Sequence, residues 1–428
     1  MKNKKLVFLF IFILGHLFLN AKERRIGKLD NLLWENYLNL GSNINHYKAG
    51  IDYPDMSCVG AVVSGDVYGT GTLIANNVVL TAAHILRNHL NDPVPDPSSW
   101  EFILSKDFES APDDQKFRVE SILLHSGWSK RLIANNGKGD GDKLGVDIAL
   151  LFLEKNVVGV YPAKLPDNLK ESVGSRIVLT GYGTLVDGLS GEFNSNNSLR
   201  TGGENILDRV VMEVDAPMVD ISEKGGLIAV DFDSPDQDKN TLGESAAEVD
   251  YLGPGESSSL PLPLEASTAV GDSGGPAFLY HNNSWRVVGV LSYGTSNSTY
   301  GDVTIFTRVG SQLAWIQNFL PNWSQGRQTE YSNWLELDWF GAFFTLNNGW
   351  NFNIAHGWFY SGSTNGESFW AWQDNQLGWW WSAHGVYPYI YSYNLEKWIY
   401  VSVPESNNEQ LTYYDYGLED WLKLNTSF

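Results

Sequence analysis

Between Ile51 and Leu320 the chain is cut into short apolar runs by Gly, Asn and Asp, and this punctuation limits what it can fold into. GTLIANNVVLTAAH (residues 71–84) is two apolar runs split by Asn76-Asn77 and ending in a small helical turn. VDIALLFLE and SRIVLTGYGT are further strand-like runs, and PAFLYHNNSWRVVGVLSYG reads as a hairpin with a polar turn at His281–Ser284. Such runs are short for helices and suit strands bounded by turn residues. One stretch, SQLAWIQNFL (Ser311–Leu320), has helical spacing at Leu313, Ile316 and Phe319/Leu320 behind a serine start. Many strands followed by one helix predict an all-β fold built as a pair of barrels.

Beyond Pro321 the composition changes. Of the 17 tryptophans, 12 fall between Trp323 and Trp421, in recurring units such as NNGWNFNIAHGWFY and ESFWAWQDNQLGWWW. Their spacing predicts a small β-hairpin repeat domain over 321–428, entered through the polar NWSQGRQTEYSN. Two readings of its aromatics stay open: the core of a domain with little else to bury, or a surface for a cell-surface or polysaccharide ligand. Trp379-Trp380-Trp381 cannot all face one way on a strand, so at least one is expected outside.

The N-terminus, MKNKKLVFLFIFILGHLFLNA, has a basic start, an apolar run from Leu6 to Leu19 and a small residue at Ala21. This is the pattern of a cleaved secretory signal over 1–21; a membrane anchor is the alternative, for which a run this short falls below the ~20 residues of a span. The mixed polar stretch 22–50 reads as an extension. A formal charge of -21 speaks against nucleic acid and anionic lipid as partners and suits an extracellular protein. The single cysteine, Cys58, excludes an intramolecular disulfide, and its apolar setting SCVGAVV reads as a buried small residue.

LEASTAVGDSGGPAF (residues 264–278) holds Ser273 inside a glycine-rich turn. A serine hydroxyl is a weak nucleophile unless a base sits beside it and a carboxylate orients the base. His84, in LTAAHIL at the end of an apolar strand behind small Ala82 and Ala83, is placed to be that base. Asp147 opens the apolar run DIALL, where a carboxylate needs a hydrogen-bonded partner. Taken alone, the turn or the histidine has an ordinary structural explanation; the ordered set is what points to catalysis.

LTAAH, DIALL and GDSGGP, in that order, resemble the chymotrypsin/trypsin family of serine peptidases. HSGW, LTGYGT, VGVLSYG and TIFTRVGSQLAWI are similar to further family segments, and RTGGENILDRV has the style of its secreted bacterial branch. The resemblance covers residues 51–320. It implies two six-stranded β-barrels with a C-terminal helix, a His84-Asp147-Ser273 triad and an oxyanion hole from the N–H groups of Gly271 and Ser273. It puts Ser267 at the base of the specificity pocket, with Ser292, Tyr293, Gly294 and Thr304 as walls. A neutral base and a threonine wall favour apolar, small to medium side chains at the cleaved position, unless Asp302 supplies an acid. Protein or peptide substrates follow; no cofactor or metal is required.

The chain departs from the pattern in three places. Ile85 follows the base where many relatives carry a half-cystine. The family often uses a newly cut N-terminal amine to pair with the residue before the nucleophile, here Asp272; Arg25-Ile26 is the tempting cut, 58 positions before His84. The segment before Ser273 is long and holds DFDSPDQDKN, whose Asp231, Asp233, Asp236 and Asp238 are candidate calcium ligands, as are Asp140 and Asp142. Both spacings miss a standard calcium loop. Rival functions are a non-enzymatic surface-binding protein on a protease fold and an esterase using the same triad.

Overall fold

Short apolar runs become strands throughout the computed structural model, which describes residues 26–29, 31–43, 53–134, 137, 141–167, 170–190, 193–195, 198–212, 225–243, 247–295, 298–346 and 348–426. The expected signal peptide lies outside the described residues. The expected extension is not featureless: it carries strand β1 (Ile26–Lys28) and helix α1 (Trp34–Gly41).

Six strands then close a barrel. They are β2 (Val59–Ser64), β3 (Val67–Ala75), β4 (Val78–Thr81), β5 (Glu101–Ile103), β6 (Lys116–Leu124) and β7 (Ala149–Leu153), paired in the order β2-β3-β4-β7-β6-β5. The Asn76-Asn77 turn joins β3 to β4 as the punctuation predicts. Helix α2 (Ala83–Leu86) follows β4 directly. The SGW of HSGW opens helix α3 (Ser126–Ala134), whose Trp128 is fully buried. Ala149, Leu150 and Leu151 of β7 are all buried, which is why this strand reads as an unbroken apolar run.

The second unit is a half-barrel. It uses β8 (Arg176–Gly181), β11 (Thr201–Ile206), β12 (Arg209–Val211), β13 (Gly226–Asp231), β14 (Pro276–His281), β15 (Ser284–Gly294) and β16 (Val303–Arg308) in the order β11-β8-β14-β15-β16-β13-β12. The chain bends after β11 and pairs β12 with the free edge of β13, so no ladder joins β11 to β13. Across that gap the Asn205 side chain donates to the carbonyls of Asp231 (2.8 Å) and Ala266 (3.1 Å). The β14–β15 hairpin turns at Asn282-Asn283, both with positive φ (48° and 59°). A separate three-stranded sheet pairs β1 in parallel with β9 (Leu185–Asp187) and β9 with β10 (Phe193–Ser195). Helix α4 (Val309–Gln317) closes the unit two residues earlier than its serine start suggested.

Residues 327–425 form an eleven-stranded antiparallel meander, from Arg327–Gln328 to Asp420–Asn425, in chain order. Its inner positions are buried: Phe343, Phe359, Ala371, Trp380, Ile390, Ile399 and Leu411 are each at 0% exposure. The sheet is stitched to the first barrel. Asn76 Nδ2 donates to the Gly326 carbonyl (2.8 Å) and its Oδ1 accepts from the Gln328 N–H (2.9 Å); in the connection between β7 and β8, Lys164 pairs with Asp338 (3.2 Å). No helix among the described residues is long and apolar enough to cross a membrane.

Candidate functional site

Three elements meet at one end of the barrels. β4 delivers His84 through α2, because the buried small side chains of Ala82 and Ala83 let the chain turn tightly there. The entry to β7 delivers Asp147, and the turn before β14 delivers Ser273. His84 Nε2 lies 2.8 Å from Ser273 Oγ, and His84 Nδ1 lies 2.7 Å from Asp147 Oδ2. The structure therefore brings together the three residues the motifs single out.

Asp147 is 1% exposed, and a carboxylate so buried needs donors. It has three: the His84 N–H on Oδ1 (2.9 Å), and His84 Nδ1 and the Ser292 hydroxyl (2.5 Å) on Oδ2. Ser292, expected as a pocket wall, thus also holds the acid. Beneath it, fully buried Asp142 accepts from the N–H groups of Leu144 (2.9 Å), Val146 (2.8 Å) and Asp147 (2.9 Å), beside Arg131 (3.4 Å). Burial, reinforced by the charge of Asp147, raises the Asp142 carboxyl above its ordinary range. Asp142, a candidate calcium ligand from sequence, is the hub of the turn that presents Asp147.

The turn that carries Ser273 is held by Thr70, in β3. The Thr70 N–H donates to the Ser273 carbonyl (2.7 Å), and its hydroxyl donates to the Gly271 carbonyl (2.8 Å) and accepts from the Tyr182 N–H (3.2 Å). Gly271 has φ +98°, and a Cβ there would lie 2.5 Å from the Tyr68 ring and 2.7 Å from the Tyr182 carbonyl. Only glycine fits. Within the turn the Asp272, Gly274 and Gly275 N–H groups are bonded to the carbonyls of Ala269, Leu291 and Asp272. Among the described residues the N–H groups of Gly271 and Ser273 have no protein acceptor. Sequence reasoning missed Thr70: a threonine in YGTGTL looks like any β-branched strand residue.

An open cleft of about 910 Å³ runs past this site, bordered by Tyr68, Ile85, Val94, Trp100, Val270 and Tyr293 among others, with Ser292 and Gly294 also on its wall. Ser267 and Thr304 are each 1% exposed and are not among the residues bordering this cleft; their hydroxyls lie 3.3 Å apart. Asp302 reaches Ser267: its Oδ2 accepts from the Ser267 hydroxyl (3.0 Å), and its Oδ1 from the Thr295 N–H and hydroxyl (3.0 and 3.1 Å). Tyr251, from the long segment before Ser273, meets the hydroxyl of the cleft residue Tyr293 at 2.6 Å.

The acidic run does not gather around one point. Asp231 and Asp233 are buried, whereas Asp236 and Asp238 are exposed; Asp140 lies outside the described residues. Among the described residues no group of three or more His, Cys, Asp or Glu is arranged to hold a metal ion. Cys58 is buried, and burial pushes its thiol far up, out of reach of reactivity.

A hydrogen-bonded Ser–His–Asp set thus lies between a six-stranded barrel and a half-barrel. The family model described as Trypsin matches residues 51–214 and 261–316, and the chain belongs to that family. It is 24% identical over 254 residues to spermosin of Halocynthia roretzi, covering 59% of this chain and 54% of spermosin. It is 27% identical over 265 residues to chymotrypsin-C of Bos taurus, covering 58% of this chain and 77% of that one. With mannan-binding lectin serine protease 1 of Rattus norvegicus it shares 23% over 270 residues, 60% of this chain and 32% of the relative. The chain thus spans about half the length of spermosin and about a third of that of the mannan-binding lectin serine protease, and the family match ends at residue 316.

Proposed function

We propose that the protein is a secreted serine endopeptidase. The observation that carries this is the relay of 2.8 and 2.7 Å through His84, set beside two N–H groups that have no acceptor among the described residues. Ser273 Oγ attacks the scissile carbonyl carbon as His84 Nε2 takes its proton. Asp147 fixes the ring so that Nε2 faces the serine and stabilises the charged imidazole. The N–H groups of Gly271 and Ser273 bind the oxyanion. The C–N bond then breaks as His84 returns the proton to the leaving amine, and water releases the acyl group by the same steps in reverse.

At the cleaved position we favour apolar, small to medium side chains, because the resemblance puts neutral Ser267 at the base of the pocket and a threonine, Thr304, on its wall. One contact supports a second reading. The Asp302 carboxylate lies one hydroxyl beneath Ser267, and a basic side chain reaching the floor would gain from that charge. Digestion of a peptide library, read by mass spectrometry, tests activity and pocket together. Cleavage that disappears in Ser273→Ala supports the peptidase reading. Cleavage after Arg or Lys that Asp302→Asn abolishes selects the second pocket. No cleavage of any peptide by folded protein overturns both.

For residues 321–428 we propose a binding role toward a surface polysaccharide. The outer face of the meander supports it: Trp370, Trp379, Trp398 and Trp421 are 40–48% exposed there, while the inner face holds the core. Flat, partly exposed indoles suit the apolar faces of sugar rings.

A further inference from the structure

The side chain that sits between the two proposed oxyanion donors is Asp272, and how it is held decides whether Gly271 and Ser273 point correctly. It is 3% exposed. Its Oδ1 accepts from the Gly183 N–H (2.7 Å) and its Oδ2 from the Ala269 N–H (2.8 Å). The fit is close: a Cβ on Gly183 would lie 2.2 Å from the carboxylate. Among the described residues Asp272 forms no ion pair; both oxygens are engaged by the backbone of the chain itself.

The turn is therefore only as well placed as the two segments carrying Gly183 and Ala269. They are tied to each other, the Thr184 N–H donating to the Val270 carbonyl (2.9 Å). Both are also gripped by the N-terminal segment. β1 pairs with β9 in the register Ile26↔Leu185, Gly27↔Val186 and Lys28↔Asp187, directly after Gly183. Trp34 packs on a small cluster of Leu185 and Ala269, one residue from each segment. Tyr37 is fully buried; its hydroxyl donates to the Glu265 carbonyl (2.9 Å), four residues before Ala269, and accepts from the Leu29 N–H (3.1 Å). The far end of α1 is fastened to the half-barrel and, through one side chain, to the first barrel: Arg200 donates to the carbonyls of Gly41 (2.7 Å) and Val59 (2.6 Å).

We propose that residues 26–43 are a built-in brace for the oxyanion turn, with Trp34 and Tyr37 as positioning residues, so that the uncut chain is competent without a newly cut N-terminus. This rests on the peptidase reading above and adds how its site is kept in order. The brace touches neither substrate nor the reacting atoms; it acts through Gly183 and Ala269 on Asp272, and through Asp272 on the turn.

The test uses full-length secreted protein whose intact mass shows no internal cut, beside a sample nicked by an added protease between residues 43 and 53. The uncut form is expected to hydrolyse a small peptide at least as fast as the nicked form. Tyr37→Phe and Trp34→Ala should each lower kcat about 10- to 100-fold with KM changed by less than about twofold, because a displaced oxyanion donor is felt in the transition state. Both should weaken binding of a peptide boronate, which mimics the tetrahedral state, by a similar factor. Tyr37→Phe removes one hydroxyl only, so it reports even if Trp34→Ala fails to fold. Uncut protein that is inert and becomes active on nicking overturns the brace and leaves the peptidase reading standing. Two folded variants with unchanged kcat and unchanged boronate affinity overturn it as well. Inactivity of both forms on every peptide overturns the peptidase reading and the brace with it.

Discussion

Thr70 sits at the one strand position from which a hydroxyl reaches both the Gly271 carbonyl and the Tyr182 N–H. Replacing it by valine keeps the shape and removes both bonds. We expect Thr70→Val to cost about 1–3 kcal/mol of stability and to lower kcat roughly tenfold with little change in KM. Thr70→Ser should restore most of both, and steady-state kinetics with thermal melts check it. The contrast with the triad shows what a sequence exposes at this scale. His84, Asp147 and Ser273 stand out because charge or a glycine turn interrupts apolar strands. Thr70 belongs to a strand and interrupts nothing. Asp142 misled for the opposite reason: an acidic loop residue looks the same whether it faces a cation or three backbone N–H groups, and only the path of the chain separates the cases.

Among the elements, hairpins with two-residue polar turns were legible because turn chemistry is local. The helix at HSGW and the strand and helix in residues 26–41 were not, because their stability comes from what they pack on. The aromatic repeat shows the same limit. Trp379-Trp380-Trp381 alternates as strand geometry requires, with Trp380 buried and Trp379 40% exposed. Period two carries that much, but cross-strand register is nowhere in the sequence. The register stacks Trp350, Tyr360, Trp372 and Trp379 on successive strands, and likewise Trp370, Trp381, Tyr391 and Trp398. Their rings meet edge to face, as for Trp350–Tyr360 at 70° and Trp381–Trp398 at 80°. If this face binds polysaccharide, Trp370→Ala and Trp379→Ala should each reduce retention on an insoluble neutral glycan severalfold and leave hydrolysis of a small peptide unchanged. Equal retention of both variants and the parent protein would remove the face from consideration.

At the scale of the whole molecule, a charge of -21 coexists with buried carboxyls at Asp208, Asp231, Asp233 and Glu265. Burial, then the charge of Asp231, pushes Asp233 up to about 8. Asp208 and Asp231 are raised by burial as a pair, and burial raises Glu265 beside them. Groups raised on folding stabilise fully below their ordinary carboxylate range and lose that contribution as pH climbs through the folded values. Self-repulsion grows in the same direction. His356 acts oppositely. Stacked on Trp380 in the core of the meander, it is lowered to about 3 by burial, so its contribution is present above about 6.5 and is lost as pH falls. The melting temperature should therefore fall from pH 5 toward pH 9, and Asp233→Asn should flatten that limb without touching the acid one. A melting temperature flat or rising over that range would contradict the assignment.

The central claim is that Ser273 is an activated nucleophile. Intact protein treated with a serine-directed fluorophosphonate tests it most directly. The account predicts one adduct per chain, located by mass spectrometry on the peptide carrying Ser273, slowed strongly by His84→Ala and absent in Ser273→Ala. Folded protein that takes no adduct, or an adduct that persists in Ser273→Ala, would contradict it.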